Sequence, residues 1–368
     1  MDIVLGAQFG DEGKGRIINH LCNSGEYEIC ARFNGSDNAG HTAVLESGET
    51  FAFRQIPVGA AYGMKCIIGR GCMLDLDNLE SEIIAIEKLR GDWTLYVDSR
   101  CHIKVPEHRS RDLQEEEDRS EPIGTTHSGN GPAYSDKYAR KTKRLCDIDI
   151  TKYPNVLRRV APVDTSLLLS GDYPVLVEGA HGIMLDIDHG TYPFVTSSGC
   201  TAGAACHSLG VSPNKVNRVI GVIKPYITRV GAGAMPTEIQ DLEMASRIRE
   251  TGHEYGTNTK RPRRIGWLDL QALAYAVRVG GITELVLAKI DIINTLGLDQ
   301  GLMVCTGYKD IAHGYIPPRD ASAMGVSPIY IEVDSIVLID LIEMVTKVPV
   351  TMISSGTDEG SVKSRIIT

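Results

Sequence analysis

Apolar residues fall in short runs punctuated by glycine along the whole chain, and their spacing sets the predicted elements. Strand-like runs occupy Asp2–Gly6, Ile29–Phe33, Cys66–Ile68, Thr94–Val97, Val175–Glu178, Val219–Ile223, Glu284–Lys289, Leu302–Cys305 and Val348–Ile353. Several are apolar throughout, as in strands covered on both faces. Between them, Leu76–Leu89, Leu268–Val279 and Ser335–Val345 carry apolar residues at spacings of three and four, the period of a helix with one buried face. This alternation predicts an α/β fold around a large, mostly parallel central sheet with helices on both faces. No strong linker interrupts it, so residues 1–368 read as a single domain. The charged stretch near 107–150 reads mostly as a solvated excursion, although Ile123–Asp136 is too rich in Gly, Thr and Ser for a plain charged helix.

The first run feeds directly into Gly6-Ala7-Gln8-Phe9-Gly10-Asp11-Glu12-Gly13-Lys14-Gly15. A strand, a glycine-rich turn and then helical periodicity present backbone N–H groups and a helix N-terminus to an anion, with Lys14 as a positive charge. The strict P-loop pattern is absent, because Gln8 stands at its first glycine and Gly15 at its Ser/Thr. That argues against a kinase or a switch GTPase. A carboxylate at Asp11 or Glu12 would repel phosphate unless it binds a metal ion or takes up a proton during catalysis. A second polar loop, Asn34-Gly35-Ser36-Asp37-Asn38-Ala39-Gly40-His41-Thr42, follows the strand-like Ile29–Phe33 and suits a polar ligand better than a core.

Composition narrows the class further. Lys and Arg number 38 against 47 Asp and Glu, a net charge of −9, which disfavours a nucleic-acid partner. The nine cysteines form no Cys-x-x-Cys pair, and an odd count fits a reduced, cytoplasmic compartment better than a disulfide framework. No secretory signal and no membrane-length apolar run are visible.

Beyond these two loops come Ile123-Gly124-Thr125-Thr126, Leu185-Asp186-Ile187-Asp188-His189-Gly190-Thr191-Tyr192-Pro193, Thr228-Arg229-Val230-Gly231-Ala232-Gly233, Pro236-Thr237-Glu238, Arg263-Arg264-Ile265-Gly266-Trp267 and Lys289-Ile290-Asp291. Taken together and in this order, they closely resemble the adenylosuccinate synthetases. The resemblance implies a two-step carbon–nitrogen ligase. A nucleoside triphosphate phosphorylates the 6-oxygen of a purine nucleotide, and the amino group of L-aspartate then displaces that phosphate.

By that resemblance Asp11 removes the purine N1 proton and binds Mg²⁺, with the Gly40 carbonyl as a second ligand. His41 meets the transferring phosphoryl, and Lys14 with Gly10, Glu12, Gly13 and Gly15 completes the phosphate loop. Asn38, Thr125, Thr126, His181, Thr196 and Val230 are expected around the acceptor nucleotide, and Arg140 is expected to reach it from a second subunit of a C2 homodimer. Thr257, Thr259, Arg261 and Arg263 are expected on the aspartate carboxylates, although Lys260 stands where the family usually has Gly. Lys289, Asp291, Ser354 and Gly356 are expected around the base of the triphosphate, and Asp291 points to GTP.

Departures cluster at the acceptor base. Ser36 and Asp37 replace a Gly and a variable residue, and His181 replaces a Gln. Such a pattern resembles the phage branch of the family, which uses dGMP on the route to 2-aminoadenine DNA with ATP or dATP as donor. A 2-amino group demands one extra acceptor, which Ser36 or Asp37 would supply. dGMP is therefore the favoured acceptor from sequence, with IMP and GTP, as in an ordinary adenylosuccinate synthetase, as the alternative.

Overall fold

A computed structural model describes residues 1–45, 48–256, 261–309, 326–356 and 361–365. Where the sequence suggested one continuous domain, the chain groups into two compact units. The first comprises Met1–Val4, Lys14–Ala180 and Thr196–Arg218; the second comprises Leu5–Gly13, His181–Val195 and Val219–Thr368.

Ten strands begin in the first unit: β1 (Asp2–Gly6), β2 (Ile29–Arg32), β3 (His41–Val44), β4 (Thr50–Phe53), β5 (Lys65–Ile68), β6 (Met73–Asp75), β7 (Thr94–Asp98), β8 (His102–Lys104), β9 (Val160–Val163) and β10 (Val175–Glu178). Six of them form a wholly parallel array in the order β1-β10-β2-β5-β7-β9. β1, β2 and β10 are buried along their whole length, which is why they read as unbroken apolar runs. β3 and β4 make an antiparallel hairpin.

In the second unit lie β11 (Arg218–Ile223), β12 (Tyr226–Arg229), β13 (Arg264–Asp269), β14 (Glu284–Ala288), β15 (Leu302–Tyr308), β16 (Pro328–Val333), β17 (Val350–Ser354) and β18 (Val362–Ser364). β11, β14 and β17 are parallel neighbours, with β18 antiparallel at the edge. β12, β13, β15 and β16 form a separate mixed sheet. The fold is α/β with mostly parallel central strands, as the pattern predicts.

Helices fill the crossovers. Leu76–Leu89 starts at Asp75, whose side chain accepts from Asn78 N, and Leu270–Gly280 starts at Asp269, which accepts from Gln271 N and Ala272 N. The charged stretch departs from its expectation. Pro106–Glu117 and Asn130–Tyr138 are helices, and Tyr134 and Ala133 bury against Met73. Charged residues point inward because they cap backbone. Asp112 accepts from Gly129 N at 2.8 Å, and Glu116 from Thr125 N at 3.3 Å. A run of charges is therefore solvated on only one side.

All nine cysteines are free thiols, and Cys146, on the turn Leu145–Asp147, is the one that is exposed. Among the described residues, no helix is long and apolar enough to cross a membrane.

Candidate active site

β1 delivers the chain into the phosphate loop, and the helix Lys14–Asn23 leaves it. The loop is built around Glu12, which is fully buried. Its Oε1 accepts from Gln8 N at 3.1 Å and from Gly10 N at 2.8 Å. Glu12 thus shapes the turn from inside. Gln8 is clamped in turn, its amide donating to Lys224 O at 3.1 Å and accepting from Lys224 N at 3.2 Å. A side chain at Gly182 would collide with Gln8 O and Gly10 N, so the residue beside His181 must be glycine. Asp11 takes a left-handed conformation, φ 59, that few non-glycine residues adopt. Its Oδ2 lies 2.9 Å from Nε of Arg263.

His41, in the first unit, is fixed by a buried charge cluster. Its Nδ1 faces Glu178 Oε1 at 3.5 Å, and Arg32 NH1 reaches the same oxygen at 3.3 Å. Arg32 and Glu178 are register partners on adjacent parallel strands, so the sheet itself brings them together. Glu178 Oε2 also accepts from Val58 N at 3.3 Å. Burial pushes the His41 pKa down, offset in part by Glu178; burial acts upward on Glu178, but His41, Arg32 and the Val58 amide leave it below the ordinary glutamate value. His41 is therefore a neutral imidazole beside a carboxylate at pH 7. The nearby charge of Lys14, at the start of its helix, also disfavours the imidazolium. Nε2 of His41 is buried with no hydrogen-bond partner among the described residues, the mark of an atom that meets a ligand. Gly15 lies where a Cβ would come within 2.7 Å of Thr42 O, which fixes helix start and hairpin together.

The second unit assembles the other expected groups. Arg263 is buried and joins Asp11 to Glu254, while Arg261 is exposed. Burial opposes the charge on Arg263, yet Asp11 and Glu254 more than compensate and raise its pKa. Thr257 and Thr259 lie outside the described residues. Lys289, at the end of β14, donates to Gly252 O at 2.9 Å and to Glu254 Oε1 at 2.8 Å. Asp291, in the first turn of Ile290–Thr295, has a buried Oδ1 with no hydrogen-bond partner among the described residues. The β14/β17 register pairs Ala288 with Ser354, so Ser354 stands across from the Lys289 turn, and Gly356 follows at φ 86. His181 has φ 63 and is part-buried, as is Val230.

In the first unit, Thr125 and Thr126 lie on the segment between the two charged helices, with Thr126 hydroxyl 2.9 Å from Ser128 Oγ. Thr196 is part-buried, and Arg140 is exposed at φ 60 just past Asn130–Tyr138. Asn38 accepts from Ser36 N at 3.3 Å. Asp37 is more committed than its sequence suggests. It ion-pairs with Lys104 and accepts from Asn78 Nδ2 at 2.6 Å, Ser36 Oγ at 3.1 Å and Arg109 NH2 at 3.2 Å. Both of its oxygens are occupied by protein, which leaves the extra-acceptor role expected for Asp37 without support, while the Ser36 hydroxyl spends its proton on Asp37.

Among the described residues, no group of three or more His, Cys, Asp or Glu side chains is arranged to hold a metal ion. Asp11, one third exposed with Oδ2 on Arg263, instead suits Mg²⁺, which takes few carboxylates and completes its shell with substrate phosphates and water. Gly40, directly before β3, is part-exposed.

Sequence reasoning passed over Arg32, Glu178, Lys224 and Glu254. Three of them left a trace: each is a lone charge ending or following an apolar strand, as in Val175-Leu176-Val177-Glu178.

An anion-binding turn carrying an acid beside a buried arginine in one unit, and a buried histidine supported by a carboxylate in the other, are the kinds of group that a nucleotide-dependent group-transfer enzyme uses. The family model of the adenylosuccinate synthetases matches residues 3–169 and 149–362. Curated relatives named adenylosuccinate synthetase include those of Thermoplasma volcanium, 37% identical over 97% of this chain and 95% of its own, and Salinibacter ruber, 41% identical over 84% and 81%. The fully ligated Plasmodium falciparum adenylosuccinate synthetase superposes with a TM-score of 0.88 at 31% identity, covering 99% of both chains. A cyanophage S-2L succinoaminodeoxyadenylate synthetase bound to dGMP and dATP shares the fold, with a TM-score of 0.73 at 21% identity over 99% of this chain and 94% of that one. The chain belongs to the adenylosuccinate synthetase family, and it is a ligase that forms a carbon–nitrogen bond between aspartate and a purine nucleotide.

Proposed function

We propose that this protein is an ordinary adenylosuccinate synthetase that joins L-aspartate to IMP at the expense of GTP. Asp11 takes the N1 proton, so that the 6-oxygen attacks the γ-phosphorus and GDP leaves. The aspartate nitrogen then adds at C6, the C6–O bond breaks, inorganic phosphate departs and the nitrogen loses a proton. Asp11 and the Gly40 carbonyl would hold Mg²⁺, which would supply neutralisation of phosphate charge. His41 serves the phosphoryl group through Nε2, and Glu178 stabilises the imidazolium that forms as negative charge arrives. Arg263, with Arg261, Thr257 and Thr259, receives the aspartate carboxylates. Lys289 and Asp291 read the donor base; a free carboxylate oxygen suits the N1–H and 2-amino group of guanine.

The acceptor nucleotide is held by Asn38, Thr125, Thr126, His181, Thr196 and Val230, and Arg140 reaches it from the partner subunit of a homodimer. The observation that carries IMP over dGMP is the engagement of Asp37 by Lys104, Asn78, Ser36 and Arg109. It agrees with the ordinary synthetases at 37–41% identity. The test is to incubate the protein with aspartate, Mg²⁺ and each pairing of IMP, GMP or dGMP with GTP, ATP or dATP, and to weigh the products. IMP with GTP is expected to react fastest. Faster conversion of dGMP with ATP or dATP would establish the phage-type reading instead.

A further inference from the structure

Among the described residues of the second unit, Glu254 carries a fully enclosed carboxylate that takes no part in the steps above. Its Oε1 accepts from Lys289 Nζ at 2.8 Å, Tyr226 OH at 2.8 Å and Lys224 Nζ at 3.0 Å. Its Oε2 pairs with Arg263 NH1. The backbone repeats the link, since Arg263 N donates to Glu254 O at 3.0 Å and Arg249 Nε to Arg263 O at 2.9 Å. Lys224 is fully buried and also donates to Thr228 Oγ1 at 2.6 Å.

A buried ion cluster is poor economy for stability alone, because well-packed apolar residues usually do as well. Here three cations share one carboxylate, and burial pushes Lys224 down to about 8 despite it. Two of the three continue outward to groups that handle ligands. Arg263 presents Nε to Asp11, and Lys289 keeps a quarter of its surface exposed. Among the described residues, Glu254 touches both, with one oxygen for each.

We infer that Glu254 is a positioning residue that couples recognition of the donor base at Lys289 to the placement of Arg263 against Asp11 and aspartate. The inference rests on the roles proposed above for Lys289 and Arg263. When Lys289 turns toward a base, Oε1 loses one of its three donors, and the balance of charge on Oε2 and Arg263 changes with it. Coupling of this kind is reciprocal, so donor occupancy alters aspartate affinity by the factor with which aspartate alters donor affinity.

The test is a mutant cycle on the full-length enzyme, reading kcat and both KM values. Glu254→Gln is expected to raise KM for aspartate and for GTP together, each ~10-fold. Lys289→Ala, which removes a group that does not touch aspartate, is expected to raise KM for aspartate ~5-fold alone and not at all in the Glu254→Gln background. If Glu254→Gln does not fold, Tyr226→Phe removes one hydrogen bond from the same oxygen and is expected to raise both KM values ~2-fold. A merely structural role would lower kcat per milligram and leave both KM values in place. Independent movement of the two KM values, or additive effects in the double variant, overturns the coupling while leaving the ligase reading intact. A wild type that makes no succinyl product overturns both.

Discussion

Nε of Arg263 lies 2.9 Å from Oδ2 of Asp11, so the guanidinium expected to receive aspartate covers the carboxylate expected to begin the reaction. The two proposed steps are thereby neighbours in space: the proposed base touches the group proposed to hold the second nucleophile. Asp11 helps to hold the buried Arg263 charged.

Asp11→Asn keeps the size of the side chain but cannot take a proton. Turnover is expected to fall ~10²-fold or more, with purine nucleotide binding by calorimetry retained. Near-normal turnover would remove Asp11 from its role.

Glu178→Gln leaves Arg32 buried without its carboxylate. A loss of about 3–5 kcal/mol in urea denaturation is expected. Because Glu178 supports the imidazolium, the His41 titration followed by NMR should move further down, and an upward movement would show that Glu178 does not act on His41. In the wild type both groups weaken the fold on the acid side. The folded pKa of His41 is below its unfolded value of 6.5, so the unfolded chain takes the proton first and stability falls as pH drops below it. Glu178 adds a second loss below its unfolded value of 4.5. Stability that stayed flat down to pH 4 would contradict both shifts.

Asp37→Asn tests whether the loop before Asn38 selects the base. Lys104 would keep Asp75, at 3.4 Å, as its remaining carboxylate, and a cost of about 3 kcal/mol is expected. The preference between IMP and dGMP should change by no more than ~2-fold. A large change in that ratio at unchanged stability would return Asp37 to the acceptor pocket.

Arg140→Ala and Asp11→Asn should each be inactive alone. If Arg140 acts in trans, mixed dimers rebuild one intact site each, so activity should return on mixing. Heterodimers that form without activity would count against a shared site.

The strands were legible because their burial is local. Val175–Glu178 and the helix Leu76–Leu89 appear at their expected bounds, and β1 does too. The helices Pro106–Glu117 and Asn130–Tyr138 were obscured, since Asp112 and Glu116 turn inward for backbone partners that no periodicity reveals. The loops proposed to touch ligand stood out by composition. What holds them did not: Glu178 meets Arg32 across 146 residues and Glu254 meets Lys289 across 35, and such pairings are made by topology.

With eight of its nine thiols enclosed, the folded protein offers a maleimide dye a single address at Cys146. No cysteine need be deleted to obtain a singly labelled sample. Donor-labelled and acceptor-labelled batches, once mixed, would then report by energy transfer whether the proposed homodimer forms and exchanges subunits, with the natural sequence as its own reporter.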